Sequence, residues 1–203
     1  MFLTRLTLTL KDYRQFRITD DYSIHRVVYS LFPKTDKPNR ILYADRGLKD
    51  GFQTVFILSE TRPVPLSDWP LRFETKPVEP GFLRHARYSF EVVLNPVRKD
   101  CKTGKLKPVL GESNLREWFL EKAAANGFQL TQEDEAHLVI HVRSVQKFSQ
   151  RLQPDKNVTH HQVVFSGTLT VTDPERFRAA FENGIGKAKA FGFGLLQLVP
   201  IFD

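Results

Sequence analysis

The 203-residue chain is long enough for one domain or two small ones and can bury about 70% of its unfolded surface by ordinary core packing. Lys and Arg number 30 against 23 Asp and Glu, and the resulting charge of +7 and pI near 9.6 favour a polyanionic partner without naming one. The single cysteine, Cys101, excludes an intramolecular disulfide and a cysteine-rich metal site, as suits a reducing cytosol, and no apolar run approaches the roughly 20 residues of a membrane span.

Phe2 to Leu10 alternates apolar and polar residues, with Phe2, Leu6, Leu8 and Leu10 on one face, so it reads as a strand rather than a signal peptide, and the expectation is a soluble cytoplasmic protein. Asp20 or Asp21 caps a helix from about Tyr22 to Leu31, which Pro33 stops. Arg40 to Arg46 and Phe52 to Glu60 read as strands joined at Asp50-Gly51, a dipeptide that favours a type I′ hairpin. Three prolines between Arg62 and Arg72 leave any second helix short or lost.

The pattern restarts with a strand carrying Tyr88, Phe90, Val92 and Leu94, followed by a basic loop from Pro96 to Gly111. Ser113, with Arg116 and Glu117, opens a helix that puts Leu115, Trp118, Phe119 and Ala123 on one face and ends at Asn126-Gly127. Ala136 to Val145 and Gln162 to Thr172 read as strands, Asp173-Pro174 starts a helix to about Asn183, and Leu195 to Phe202 closes the chain. Strand, helix, strand, strand, helix, strand thus occurs twice. The expected class is α+β, with tandem ferredoxin-like (RRM-like) domains at 1–80 and 81–203, the second carrying a basic hairpin and a glycine-rich loop.

That loop, Gly184 to Leu196, holds Gly184, Gly186, Gly192 and Gly194 together with Lys187, Lys189, Phe191 and Phe193. Glycines let backbone N–H groups approach an anion, and the lysines add charge that a phosphate would neutralise; a tightly packed connection accounts for the same glycines. Neither lysine is followed by a hydroxyl residue, so the loop is no P-loop, and it lies after a helix rather than between a strand and a helix, so it is no dinucleotide fingerprint. Lys189 to Leu196 partly matches the RNP1 pattern, which stacks bases on strand aromatics.

Tyr22 and His25 lie three apart and project from one turn of the first helix, where a histidine can move a proton near neutral pH and a tyrosine can position a hydroxyl; a structural pair on an amphipathic helix reads the same way. Arg143, Lys147, Arg151 and Lys156 lie between two strands as a basic hairpin suited to an RNA groove or as a solvated loop. His137 and His141 sit in an apolar, strand-like run without the His-Glu-x-x-His arrangement, and His160 and His161 point to opposite faces, so no metal is expected. No Gly-x-Ser-x-Gly elbow supports a covalent nucleophile.

The Met-Phe-Leu-Thr-Arg start, Tyr22-Ser-Ile-His25 with Leu31-Phe32-Pro33, Leu94-Asn95-Pro96-Val97-Arg98-Lys99, Phe165-Ser-Gly167-Thr-Leu-Thr-Val and the Gly184–Leu196 loop together resemble the CasE family, the CRISPR repeat-processing endoribonucleases of Cascade-type complexes. The resemblance implies metal-independent cleavage of precursor CRISPR RNA at the base of the repeat stem-loop, by attack of the RNA's own 2′-hydroxyl. It also implies no cofactor, a retained RNA product and partners among the other Cascade subunits. The same resemblance implies that Tyr22 and His25 correspond to the family's catalytic pair, with His25 either deprotonating the 2′-hydroxyl or protonating the leaving 5′-oxygen. Arg26, Lys105, Lys107, Arg143, Arg151, Lys187 and Lys189, with the four loop glycines, are the candidate RNA-binding residues. A non-catalytic guide-RNA-binding subunit and a structural assembly protein are the competing readings.

Overall fold

The computed structural model describes residues 1–33, 39–150 and 153–202, with the backbone alone at 21, 144–150 and 153–159. In β1 (Phe2–Thr9), Leu6 and Leu8 are fully buried while Arg5 faces out. Leu10 does not continue that face: it is 59% exposed and opens α1 (Leu10–Phe16), a helix the alternating pattern concealed. Thr9 accepts from the Asp12 N–H, and the Asp12 carboxylate accepts from the Thr9 N–H at 2.7 Å, a capping box that converts extended chain to helix.

Asp20 caps α2 (Asp21–Ser30) by accepting the Ser23 N–H at 2.8 Å, and Ile24, Val27 and Val28 form its buried stripe. β2 (Ile41–Lys49) and β3 (Phe52–Ser59) meet at Asp50 and Gly51, whose φ angles of 52° and 81° suit the expected type I′ turn. Residues 60–71 form no helix; Leu66, Trp69 and Leu71 cover the core in its place, and Trp69 donates its Nε1–H to Asp12 at 2.6 Å. β4 (Arg72–Pro77), which the sequence pattern did not reveal, pairs with β1 and completes an antiparallel sheet in the order β2-β3-β1-β4.

The second half repeats that order. β5 (Arg87–Leu94) leads into β6 (Val97–Lys99) and β7 (Leu106–Pro108), which pair as a two-stranded ribbon where a basic loop was expected. α3 (Glu112–Ala125) starts one residue before the predicted Ser113, with Gly111 at its N-terminus and no side-chain cap, and buries Leu115, Trp118, Phe119 and Ala123 as their spacing required. After β8 (Phe128–Gln129), a second capping box between Thr131 and Asp134 builds α4 (Gln132–Ala136), so β9 (Val139–Gln150) begins three residues later than the predicted strand. β10 (Gln153–Val171) is longer than predicted, α5 (Pro174–Asn183) is capped by Asp173, a 3₁₀ turn occupies Lys189–Phe191, and β11 (Gln197–Pro200) closes the sheet. The sheet runs β11-β5-β10, with β9 and β8 both pairing with β10. Each sheet therefore has the ferredoxin-like strand order, and the two together make a tandem ferredoxin-like chain.

Each half has its own core, the second centred on Phe119 stacked between Phe90 and Phe165, with centroids at 5.5 and 4.5 Å. A third cluster joins the halves: Leu42, Ala44 and Leu58 from the first sheet pack on Phe181 and Leu195. The register of β2 against β3 slips between Asp45 and Leu48, and this bulge turns Arg46 toward Glu91 and Gln197 of the second sheet. The segment after α5 is thereby seated against β2, and this seating builds the site.

Candidate active site

The buried stripe of α2 turns its next face toward the 3₁₀ turn at Lys189–Phe191. His25, half-buried on that face, lies 2.6 Å through Nδ1 from the carbonyl oxygen of Ala190. A carbonyl can only accept, so Nδ1 carries the proton and the neutral ring keeps its lone pair on Nε2. Burial holds the His25 pKa below its ordinary 6.5, against the Ala190 bond, which favours the protonated ring. The imidazole is thus neutral at pH 7 and ready to take a proton. Tyr22, one turn earlier and 44% exposed, stacks beside it with centroids 5.5 Å apart, and Tyr29 lies on its other flank at 4.2 Å.

The turn that supplies Ala190 is clamped on both sides. Tyr43, buried in β2, donates its hydroxyl to the same Ala190 oxygen at 3.2 Å. The Phe191 ring lies between His25, at 6.2 Å, and His160, at 5.1 Å. His160 in turn faces Phe193, and Asn95 Nδ2 approaches His160 Nδ1 at 3.0 Å while Asn95 Oδ1 accepts the His161 N–H at 3.0 Å. The His161 N–H fixes which end of the amide is oxygen, so Asn95 donates to His160, whose proton is then on Nε2. Burial lowers the His160 pKa as well.

Three of the loop glycines have the packing role that the sequence left open beside a phosphate cradle. Gly184, Gly192 and Gly194 are buried, and their N–H groups go to Ala180, Lys189 and Val93 oxygens, so at these three positions the amides are committed within the protein. A Cβ at Gly184 would stand 3.0 Å from Leu42, and one at Gly192 2.9 Å from the Tyr43 ring. Gly186 and Lys187 are exposed. Lys189 sits in the turn itself, where burial and the nearby Arg40 charge hold its pKa below the ordinary lysine value. Arg40, which forms an ion pair with Glu60 at 3.7 Å, was not anticipated as part of this electrostatic environment.

The remaining candidates are dispersed. Arg26 is exposed beside His25 on α2 and donates to Ser23 Oγ at 3.3 Å. Arg143 donates to the Asp45 oxygen at 3.1 Å, bracing β9 against the β2 bulge. Lys105 and Lys107 lie on or beside the β6–β7 ribbon, and Lys107 pairs with Asp100 at 2.6 Å, which with the Thr103 hydrogen bonds pulls the Asp100 pKa down to about 2. Arg151 lies outside the described residues, as do the side chains of Lys147 and Lys156. His137 ends α4, bonded to the Glu133 oxygen, rather than lying on a strand. Among the described residues no three His, Cys, Asp or Glu side chains gather as a metal site, and no helix is long and apolar enough to cross a membrane. A cleft of about 830 Å³ between the sheets, lined by Leu3, Phe56, Phe82, Phe181 and Leu198, does not include His25.

Residues 1–200 match the model of a family described as CRISPR associated protein. The chain belongs to that family. Two relatives bear CRISPR-associated names, one of them the CasE of the sequence resemblance. The CRISPR-associated endoribonuclease Cse3 of Thermus thermophilus is 25% identical, over 98% of this chain and all of that one. The CRISPR system Cascade subunit CasE of Escherichia coli is 24% identical, over 90% of this chain and 93% of that one. A solved Cse3 endoribonuclease bound to a 19-nucleotide RNA has a TM-score of 0.85 at 23% identity, covering 98% of this chain and 100% of that one, which establishes a shared fold.

Tyr43, Tyr29, Asn95, Arg40 and the Ala190 carbonyl are the residues that inspection of the sequence missed, and His160 was weighed there only as a metal ligand. The Leu94-Asn95-Pro96 segment and the Gly184–Leu196 loop that holds Ala190 carried a signal, but it pointed to a family rather than to these roles.

Proposed function

We propose that the chain is a metal-independent endoribonuclease that cleaves precursor CRISPR RNA at the repeat stem-loop and retains the product for a Cascade complex in the cytoplasm. Its units are 1–80 and 81–203. The observation that carries this reading is the Nδ1–H···O bond from His25 to Ala190, which leaves Nε2 as a proton acceptor beside Tyr22 on an open face of α2.

In this mechanism His25 Nε2 removes the proton of the 2′-hydroxyl while Tyr22 orients that hydroxyl. A lone pair of the 2′-oxygen forms the new bond to phosphorus, and the bond from phosphorus to the 5′-oxygen breaks with its electrons passing to that oxygen, which takes a proton from solvent. The products are a 5′-hydroxyl and a 2′,3′-cyclic phosphate. Nucleophile and leaving group both belong to the RNA, so the protein supplies only proton transfer, orientation and charge. General acid–base catalysis of this kind gives about 10²- to 10⁴-fold in rate. Lys187, Lys189 and Arg26 flank His25 in sequence or in the loop and offset phosphate charge there, and exposed Gly186 lets the RNA backbone come close. Lys105, Lys107 and Arg143 contact the RNA away from the scissile bond, and Arg151 is a further candidate contact.

Mapping the ends of the cleaved RNA tests the chemistry. A 2′,3′-cyclic phosphate and a 5′-hydroxyl are expected, whereas a 3′-hydroxyl with a 5′-phosphate refutes attack by the 2′-oxygen. Binding of the repeat RNA without any cleavage favours the guide-holding subunit instead.

A further inference from the structure

We propose that Tyr43 is a positioning residue of this reaction, acting through the Ala190 carbonyl to fix which nitrogen of His25 carries the proton. The inference rests on the reading of His25 as the proton acceptor.

Tyr43 is 1% exposed and belongs to the core of the first half, yet its hydroxyl reaches a carbonyl in the second half, 147 positions away. A buried phenol needs a hydrogen-bond partner, and here that partner is also the acceptor for His25 Nδ1–H. A carbonyl oxygen has two lone pairs, so one oxygen serves both donors. The Tyr43 ring is also the floor under Gly192: a Cβ there would meet Cε2 at 2.9 Å and Cδ2 and Cζ at 3.4 Å. Above, Phe191 is held between the His25 and His160 rings. The turn is therefore seated on the core from below by the ring and aimed by the hydroxyl. His25 itself is anchored on a different element, α2, and meets the turn through that oxygen and the Phe191 ring. Aiming the oxygen at Nδ1 keeps the Nε2 lone pair in place, and a ring with the opposite tautomer would present an N–H donor to the 2′-hydroxyl.

Tyr43→Phe keeps the floor under Gly192 and removes the hydroxyl that donates to Ala190. Losing one net hydrogen bond corresponds to roughly 2- to 10-fold. In the free protein, nitrogen-15 spectra of the histidine rings should show His25 as the Nδ1–H form in the parent and a mixture of tautomers in Tyr43→Phe. With a repeat RNA stem-loop, the single-turnover cleavage rate should fall by that roughly 2- to 10-fold while RNA affinity stays at the parent value. Identical His25 spectra and identical single-turnover rates in parent and Tyr43→Phe would overturn the inference. His25→Ala is assayed alongside. If it cleaves at the parent rate, the proposed function fails, while the spectra still decide whether Tyr43 governs the His25 tautomer.

Discussion

Gly194→Ala distinguishes a packed glycine loop from a phosphate cradle. Gly194 has φ +88°, and an added Cβ would stand 2.5 Å from the backbone oxygen of Ile185 and 3.2 Å from its nitrogen. Forcing an L side chain into left-handed backbone costs roughly 1–2 kcal/mol. The obstacle is backbone and cannot rotate away, so the strands of the loop must part. Parting them weakens the Ile185 N–H···O bond to Gly194 at 2.9 Å and the Gly194 N–H···O bond to Val93 at 2.8 Å. With each bond worth roughly 0.5–1.5 kcal/mol net, the whole comes to about 2–5 kcal/mol. For a chain of this length each kcal/mol moves the midpoint by roughly 2–4 °C, so melting followed by circular dichroism should drop by roughly 4–20 °C. Gly186→Ala meets only Leu94 Cδ2 at 3.8 Å and bears the backbone strain alone, so its loss is the smaller. A Gly194→Ala protein that melts with the parent but no longer binds RNA would refute the packing argument and restore the cradle.

Single-turnover cleavage should fall as pH drops through the His25 ionisation, which burial places below 6.5, and should level off above it; His25→Ala should lose that limb, and a rate that climbs as pH falls would instead make His25 the acid. The same depression lowers folding stability as pH falls below about 6.5, since the unfolded chain then binds the proton more readily, and urea midpoints measured across that range should follow. Asn95→Leu removes the bonds to His161 N–H and His160 Nδ1, roughly 1–3 kcal/mol apiece, and a urea midpoint equal to the parent's would contradict the role given to this amide.

What could be read in the sequence was what local patterns encode. Asp20 and the Ile24, Val27, Val28 stripe set α2 and its register, so Tyr22 and His25 were found together on one turn. Asp50-Gly51 and Asp173-Pro174 marked their turn and helix start because each motif acts within a few residues. Helix α1 was hidden because Thr-Leu-Thr-Leu continues the β1 alternation to Leu10, although the Thr9 to Asp12 capping box was there to be read. The β6–β7 ribbon was hidden because its lysines carry no alternating apolar face. Tyr43 looked like any core position of β2, and its second role depends on a carbonyl 147 residues away, a backbone group that no side-chain letter announces. Asn95 and His160 are 65 residues apart and meet only because β5 and β10 pair.

The central claim is that His25 moves the proton for attack by the RNA's own 2′-hydroxyl. The direct measurement is incubation of the purified protein with a matching repeat RNA in EDTA, beside His25→Ala and an RNA with a 2′-deoxy sugar at the cleavage position. The account predicts cleavage by the parent in EDTA, with the 2′-deoxy RNA left intact and His25→Ala slowed by about 10²- to 10⁴-fold. Cleavage that survives either change, or that EDTA abolishes, would contradict it.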